Sequence, residues 1–237
     1  MVAVFVVATF IAFILVDGAL QWSKARKQKE SQSAVPAAAP WALTLTPETV
    51  EAPAGLFLDT GHTWVSVDAS GRSRIGLDAF AQRVIGRIDQ VELPAPGTRV
   101  LRGDKLFTVT QGSRKAEFFA PIDGVVSAVN EAAGKDGALV KADPYNRGWL
   151  LAVEPSNLSL DIRDLMVADE TKGWLRKEID RFKEFFAAQA VQHMALGHVM
   201  QDGGEITAGV LEALDDDSWK RFSADFLGSG AACGANT

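Results

Sequence analysis

A single cysteine, Cys233, stands among the 237 residues, so no intrachain disulfide and no cysteine-cluster metal site can form. Histidine is almost as scarce. Of three, His62 has no neighbour at ligand spacing. His193 and His198 lie five apart, and a helix does not bring that spacing to one face as it does positions four apart. This excludes a zinc site. An excess of positive charge is missing too: 24 basic residues face 30 acidic ones, giving a net charge of −6, so nothing global recruits nucleic acid. No nucleophile–base pair, glycine-rich phosphate loop or metal cluster is spelled out, and an enzymatic reading has little to stand on. The sequence therefore assigns no catalytic residue, no cofactor and no metal.

What is present begins with an apolar run. Val2–Val16 carries no charge and would span about 22 Å as a helix, or about 31 Å if continued to Trp22, enough for a bilayer core. Asp17 would then sit near the interface and Trp22 in the headgroup belt. A cleaved signal peptide is the alternative, but the run has no basic leader and no clear small-residue cleavage site. Lys24, Arg26, Lys27 and Lys29 follow the run, which places the bulk of the protein on the cytoplasmic side. The expectation is a single-pass anchor, residues 1–22, in the inner (cytoplasmic) membrane with its N-terminus outside. Residues 23–55, rich in Ala, Pro, Ser and Thr, read as a semi-extended linker.

Residues 56–164 read as short strands separated by Gly and Pro turns: Thr63–Val67, Arg72–Leu77, Lys105–Thr110, Ala116–Ala120, Val125–Val129 and Trp149–Val153. That pattern indicates an antiparallel sandwich or barrel. Leu77–Ile85 has helical spacing, and Ala132–Val140 reads as a loop or short helix. The two runs at Lys105–Thr110 and Ala116–Ala120 form a hairpin. Trp64, Phe107, Phe118 and Trp149 are expected in the core or on the hairpin face. Residues 165–227 form a helical extension. Asp169–Gln192 is amphipathic through Trp174, Leu175, Ile179, Phe182, Phe185 and Phe186, and Thr207–Leu227 continues as two short helices. Their aromatic faces pack either on their own domain or on another subunit or the membrane surface. On the second placement, truncation near Asp169 would leave the sandwich folded. Residues 228–237, small and polar, read as a disordered tail.

Several phrases recur in order between residues 61 and 164. They are His62-x-Trp64-Val65, Ile75-Gly76-Leu77 with Ala81-Gln82, and Gly86-x-Ile88 with Val91-Glu92-Leu93-Pro94. Ala120-Pro121-x-x-Gly124, Val129-Asn130-Glu131 and Asp143-Pro144-Tyr145-x-x-Gly148-Trp149-Leu150 follow. In this order and spacing they resemble the H protein of the glycine cleavage system, a lipoyl/biotinyl-type β-sandwich. The fold class implied is α+β: an N-terminal transmembrane helix, a lipoyl/H-protein-like antiparallel β-sandwich (a barrel-sandwich hybrid) and C-terminal α-helices. The resemblance implies a swinging lysine at the hairpin tip, eight residues before the proline of the Ala-Pro turn. Counting back from Pro121, that position is Ser113. A hydroxyl cannot form the amide that tethers lipoate or biotin. Lys115, two residues on, is the alternative acceptor.

The expectation is thus a non-catalytic, membrane-anchored accessory or scaffold subunit without a cofactor, its lipoylation site degenerate. Its partners would be the membrane, through the N-terminal helix, and other subunits of a larger membrane complex, such as a respiratory or electron-transfer assembly, through the C-terminal helices. The alternative is a lipoyl-type group-transfer carrier using Lys115.

Overall fold

In a computed structural model, which describes residues 44–192, 206 and 208–228, two antiparallel sheets enclose the core. In chain order the strands are β1 (Phe57–Leu58), β2 (Thr63–Val67), β3 (Ser73–Leu77), β4 (Gln90–Glu92) and β5 (Arg99–Val100). After them come β6 (Lys105–Gln111), β7 (Arg114–Phe119), β8 (Gly124–Val129), β9 (Trp149–Pro155) and β10 (Met166–Val167). Seven of them pair in the order β10-β1-β2-β3-β9-β8-β5, and three in the order β4-β6-β7. This is an antiparallel β-sandwich followed by helices.

The core explains the pairing. Trp64 and Val65 on β2, Ile75 and Leu77 on β3, and Leu150, Leu151 and Val153 on β9 are all buried. Trp64 lies flat across the neighbouring strand and its indole Nε1 donates to the Leu77 carbonyl at 3.1 Å. Gly76 makes this possible: a Cβ there would sit 2.7 Å from the Trp64 ring. Phe107 and Phe118 face each other across β6 and β7, ring centroids 5.0 Å apart, a cross-strand pair of the kind that fixes register.

Helices fill the ends. α1 (Pro47–Val50) begins with proline in its first turn, where the missing N–H costs nothing. α2 (Ala79–Ile85) is capped by Asp78, whose carboxylate accepts from the Ala81 amide at 2.8 Å. The stretch read as a loop or short helix forms two helices, α3 (Glu131–Lys135) and α4 (Gly137–Ala142), capped by Asn130 and Asp136. The turn after them folds Tyr145 back so that its hydroxyl accepts from the Ala79 amide at 3.0 Å. Burial pushes the Tyr145 hydroxyl pKa well above its ordinary value, so it stays protonated. α5 (Leu158–Asp161) leads into β10, and α6 (Asp169–Gln192) starts where its periodicity places it. A 3-10 turn at Val210–Ala213 and α7 (Asp216–Phe226) complete the described chain.

Two expectations are corrected. The linker expected over residues 23–55 ends earlier, because Leu45 and Val50 are buried in the core. The Leu45 amide donates to the Ile206 carbonyl at 2.7 Å, and the Thr49 carbonyl accepts from Arg83 Nε at 2.8 Å. The described residues from Thr44 on therefore belong to the folded unit. The helical faces of α6 and α7 are also not left over for a partner. Leu175, Ile179, Phe182 and Phe186 of α6 and Trp219, Phe222 and Phe226 of α7 are buried against the sandwich. Phe182 is the hinge of this seam, edge-on to Phe80 of α2 at 5.9 Å, Phe222 at 5.8 Å and Phe226 at 5.7 Å.

The anchor expected at Val2–Trp22, His193, His198 and the tail with Cys233 lie outside the described residues. Among the described residues, no helix is long and apolar enough to cross a membrane.

Phe182→Ala is expected to lower the unfolding free energy by about 3–5 kcal/mol, the range for emptying a buried aromatic site, measured by urea denaturation. Truncation at Asp169 is expected to abolish the cooperative transition; a truncated protein with the same midpoint would contradict the packing described.

Candidate functional site

The hairpin between β6 and β7 turns on two residues, Gly112 and Ser113. Gln111 pairs with Arg114 at its neck. Gly112 has φ +59° and Ser113 does not share the positive sign, the pattern of a type II′ turn with glycine in its first central position. Both apex residues are exposed. Ser113 therefore presents a hydroxyl at the tip. Lys115 stands on β7 opposite Thr110, and its ammonium pairs with Glu92 of β4 at 3.0 Å.

The neck is tied down on both sides. On one, the Gln111 side-chain amide donates to the carbonyls of Ile85 and Arg87 at 2.7 and 2.8 Å, and the Gly112 amide donates to Asp89 at 2.6 Å. On the other, Arg114 reaches into the C-terminal segment. Its guanidinium donates to the Asp216 carboxylate at 2.8 Å and to the carbonyls of Leu211 and Leu214 at 3.1 and 2.6 Å. It also lies 5.6 Å from the centre of the Trp219 ring, a cation–π contact. Trp219 Nε1 donates in turn to the Lys115 carbonyl at 3.1 Å. Unlike the Lys115–Glu92 pair, which is open to solvent, the Arg114 side chain is only 19% exposed, so its bonds are the ones that hold.

A second tie joins the same segment to the base of the hairpin. Glu212 accepts from the Arg87 amide at 2.7 Å, and the Gly209 amide donates to the Arg83 carbonyl at 2.6 Å. The chains pass so closely that a Cβ on Gly86 would lie 2.5 Å from the Gly209 Cα. Between β7 and α7 the segment leaves a groove of about 360 Å³.

The group that sequence reasoning missed is His62. It is fully buried, with a positive φ of +63°, and its ring stacks on Phe80 at 4.6 Å and leans on Trp174 at 5.1 Å. Nδ1 is 2.8 Å from Asp78, and Nε2 faces Glu178 of α6 at 3.6 Å. Burial alone pushes the imidazole toward neutrality and is the largest influence, but the charge and hydrogen bond of Asp78, joined by Glu178, outweigh it. The result is a pKa raised to about 9. Burial likewise works against the Glu178 carboxylate, and His62 and Arg181 together still hold it below its ordinary value. This is a buried imidazolium between two carboxylates, a clamp between the sandwich and α6. Among the described residues no group of three or more His, Cys, Asp or Glu side chains is arranged to hold a metal ion.

Comparison with known proteins adds the following. The family model described as glycine cleavage H-protein matches residues 56–178. A glycine cleavage system H protein of Legionella pneumophila (strain Corby) is 38% identical over 119 residues, covering 50% of this chain and 94% of that protein. A probable glycine cleavage system H protein of Thermococcus kodakarensis is 34% identical over 122 residues, covering 52% of this chain and 90% of that protein. A crystal structure of a glycine cleavage system H protein from Mycobacterium marinum is 28% identical, with a TM-score of 0.47 over 52% of this chain and 98% of that chain. The Arg114 partners Leu211, Leu214 and Asp216 lie beyond the matched residues.

Because the His62 pKa is raised from 6.5 to about 9, its stabilisation is fully present below about pH 6.5 and is lost as pH rises through about 9. Unfolding free energy is expected to fall by on the order of 3 kcal/mol across that window, and His62→Gln to flatten the slope. A neutral-imidazole NMR signature at pH 7 would contradict the clamp.

Proposed function

The chain belongs to the glycine cleavage H-protein family through residues 56–178, and from that premise we propose that it is a non-catalytic, membrane-anchored docking subunit of a larger membrane assembly. The observation that carries this reading is the hairpin apex. A carrier arm needs an acylable amine at an exposed, projecting tip, and the tip here is Gly112-Ser113. Lys115 sits back on β7, its carbonyl held by Trp219 and its neighbour Arg114 fixed to the C-terminal segment. A modifying ligase that reads tip geometry meets serine where the family's amine would be. The sandwich thus keeps its shape and uses the hairpin as a brace.

Membrane attachment is part of the proposal. The uncharged run Val2–Val16 and the cluster Lys24, Arg26, Lys27 and Lys29 support an anchor with the domain on the cytoplasmic side. A respiratory or electron-transfer assembly is the kind of partner such an anchor would serve. The second reading, a lipoyl-type carrier using Lys115, is favoured by the 59% exposure of that side chain.

Two measurements check the proposal. Intact mass of the native protein, with a peptide map over Lys105–Lys135, is expected to show no lipoyl or biotinyl adduct, and Ser113→Lys to gain one when incubated with a lipoate ligase, ATP and lipoate. An adduct on Lys115 of the unaltered chain would instead establish the carrier reading. For topology, protease added to intact spheroplasts is expected to leave the domain uncut and to digest it in everted vesicles; the reverse pattern would defeat the orientation.

A further inference from the structure

The turn between β1 and β2 buries a carboxylate. Asp59 is 9% exposed, and its backbone is tied at both ends: its amide donates to the Thr63 carbonyl at 2.9 Å and its carbonyl accepts from the His62 amide at 3.1 Å. The side chain accepts from the Gly61 amide at 2.8 Å, and among the described residues no basic side chain pairs with it. The charge on His62 is taken by Asp78 and Glu178. Buried carboxylates are paired or bind metal ions, because a lone charge in the interior is costly. What faces Asp59 is negative as well. The spot that a Cβ on Gly61 would occupy lies 3.0 Å from Asp59 Oδ2, 3.6 Å from the Gly228 carbonyl oxygen and 3.9 Å from that of Leu227. Neither carbonyl accepts a hydrogen bond from a described residue. Leu227 is nonetheless buried, where carbonyls are nearly always paired. Both follow the last turn of α7, at the negative end of its dipole. Their position is held by Arg181, which donates to the Asp225 carbonyl and lies 4.2 Å from the Phe226 ring centre.

We propose that the Asp59 carboxylate and the Leu227 and Gly228 carbonyls form a site for a hard divalent cation of calcium size, which ties the β1–β2 turn to the end of α7. The donors are oxygen alone, the set that suits hard cations, with no thiol or imidazole to select a transition metal. Calcium accepts main-chain carbonyls in irregular geometry, and water completes its shell, whereas magnesium demands a near-ideal octahedron. Exposed Gly228 opens the site to solvent. With one carboxylate the affinity belongs at the weak end of the calcium range, about 10⁻⁴–10⁻³ M. Gly61 keeps the space clear, since any side chain there would enter among the three oxygens. Two of the three donors follow α7, outside residues 56–178, so the site belongs to the extension of this chain. The ion neutralises the buried charge and fixes the helix that walls the hairpin.

The test uses the full chain in mild detergent, stripped of metal with a chelating resin and titrated separately with calcium chloride and magnesium chloride. Calorimetry is expected to show one calcium per chain, bound at least fivefold more tightly than magnesium. At ten times its dissociation constant, calcium is expected to raise the unfolding midpoint by about 3–6 °C. The amide NMR signals of Gly61, His62 and Gly228 are expected to shift along the same titration curve. Asp59→Asn keeps an oxygen for the Gly61 amide and loses the charge. Gly61→Ala adds a methyl at a position with no left-handed backbone. Each is expected to weaken calcium binding at least tenfold, while Glu170→Gln, at an exposed carboxylate elsewhere, leaves it unchanged. No saturable calcium binding by the unaltered chain would overturn the proposal, as would equally tight magnesium binding or shifts confined to other segments. So would undiminished binding by Asp59→Asn. The NMR shifts are read on the unaltered chain, so they decide the site even where a variant fails to fold.

Discussion

Burial of the aromatic seam around Phe182 is the interaction on which the rest of the structure depends. Phe80 belongs to the sandwich, Phe182 to α6, and Phe222 and Phe226 to α7, so one cluster sets the position of both C-terminal helices. Each of these side chains contributes about 1.5–3 kcal/mol on burial, whereas an exposed ion pair such as Lys115–Glu92 contributes about 0–1 kcal/mol. The seam therefore places α7, and the polar contacts refine that placement. The His62 clamp adds direction: an imidazolium between Asp78 and Glu178 favours the position of α6 that brings the two carboxylates to it, since leaving either charge unpaired in the interior is costly.

From that placement the character of the hairpin follows. With α7 fixed, Asp216 and the carbonyls of Leu211 and Leu214 converge where Arg114 can satisfy all three. The neck of the hairpin becomes part of the core's support. A swinging arm requires a tip that carries an amine and a face that partners can approach; here the tip carries Ser113 and one face is walled by α7. On the proposed reading, that wall is what works against a carrier role.

Much of this was legible in the sequence, and the limits have physical causes. Periodicity placed the bounds of β2 and the start of α6, and the glycine-bearing connection placed the hairpin, because these signals are local. His62 looked inert because its partners stand 16 residues away in one case and on a distant helix in the other. Nothing local marks Arg114 as a brace, because Asp216 lies 102 residues further on. Residues 44–55 read as linker because their composition is that of a tether, yet Leu45 and Val50 are buried: two apolar positions suffice to dock a segment and are too few to form a pattern. The aromatic faces of α6 and α7 announced that they needed covering without naming the surface that covers them.

The central claim, that the hairpin braces and docks and does not carry, is tested most directly by replacing the chain with its Lys115→Arg variant in the native host and recovering its assembly in mild detergent. Arginine keeps a positive charge opposite Glu92 and has no amine to acylate. The account predicts the same copurifying partners in the same amounts and no change in the activity of the assembly. Loss of that activity with the partners still bound would show that the Lys115 amine itself is used, and would contradict the account.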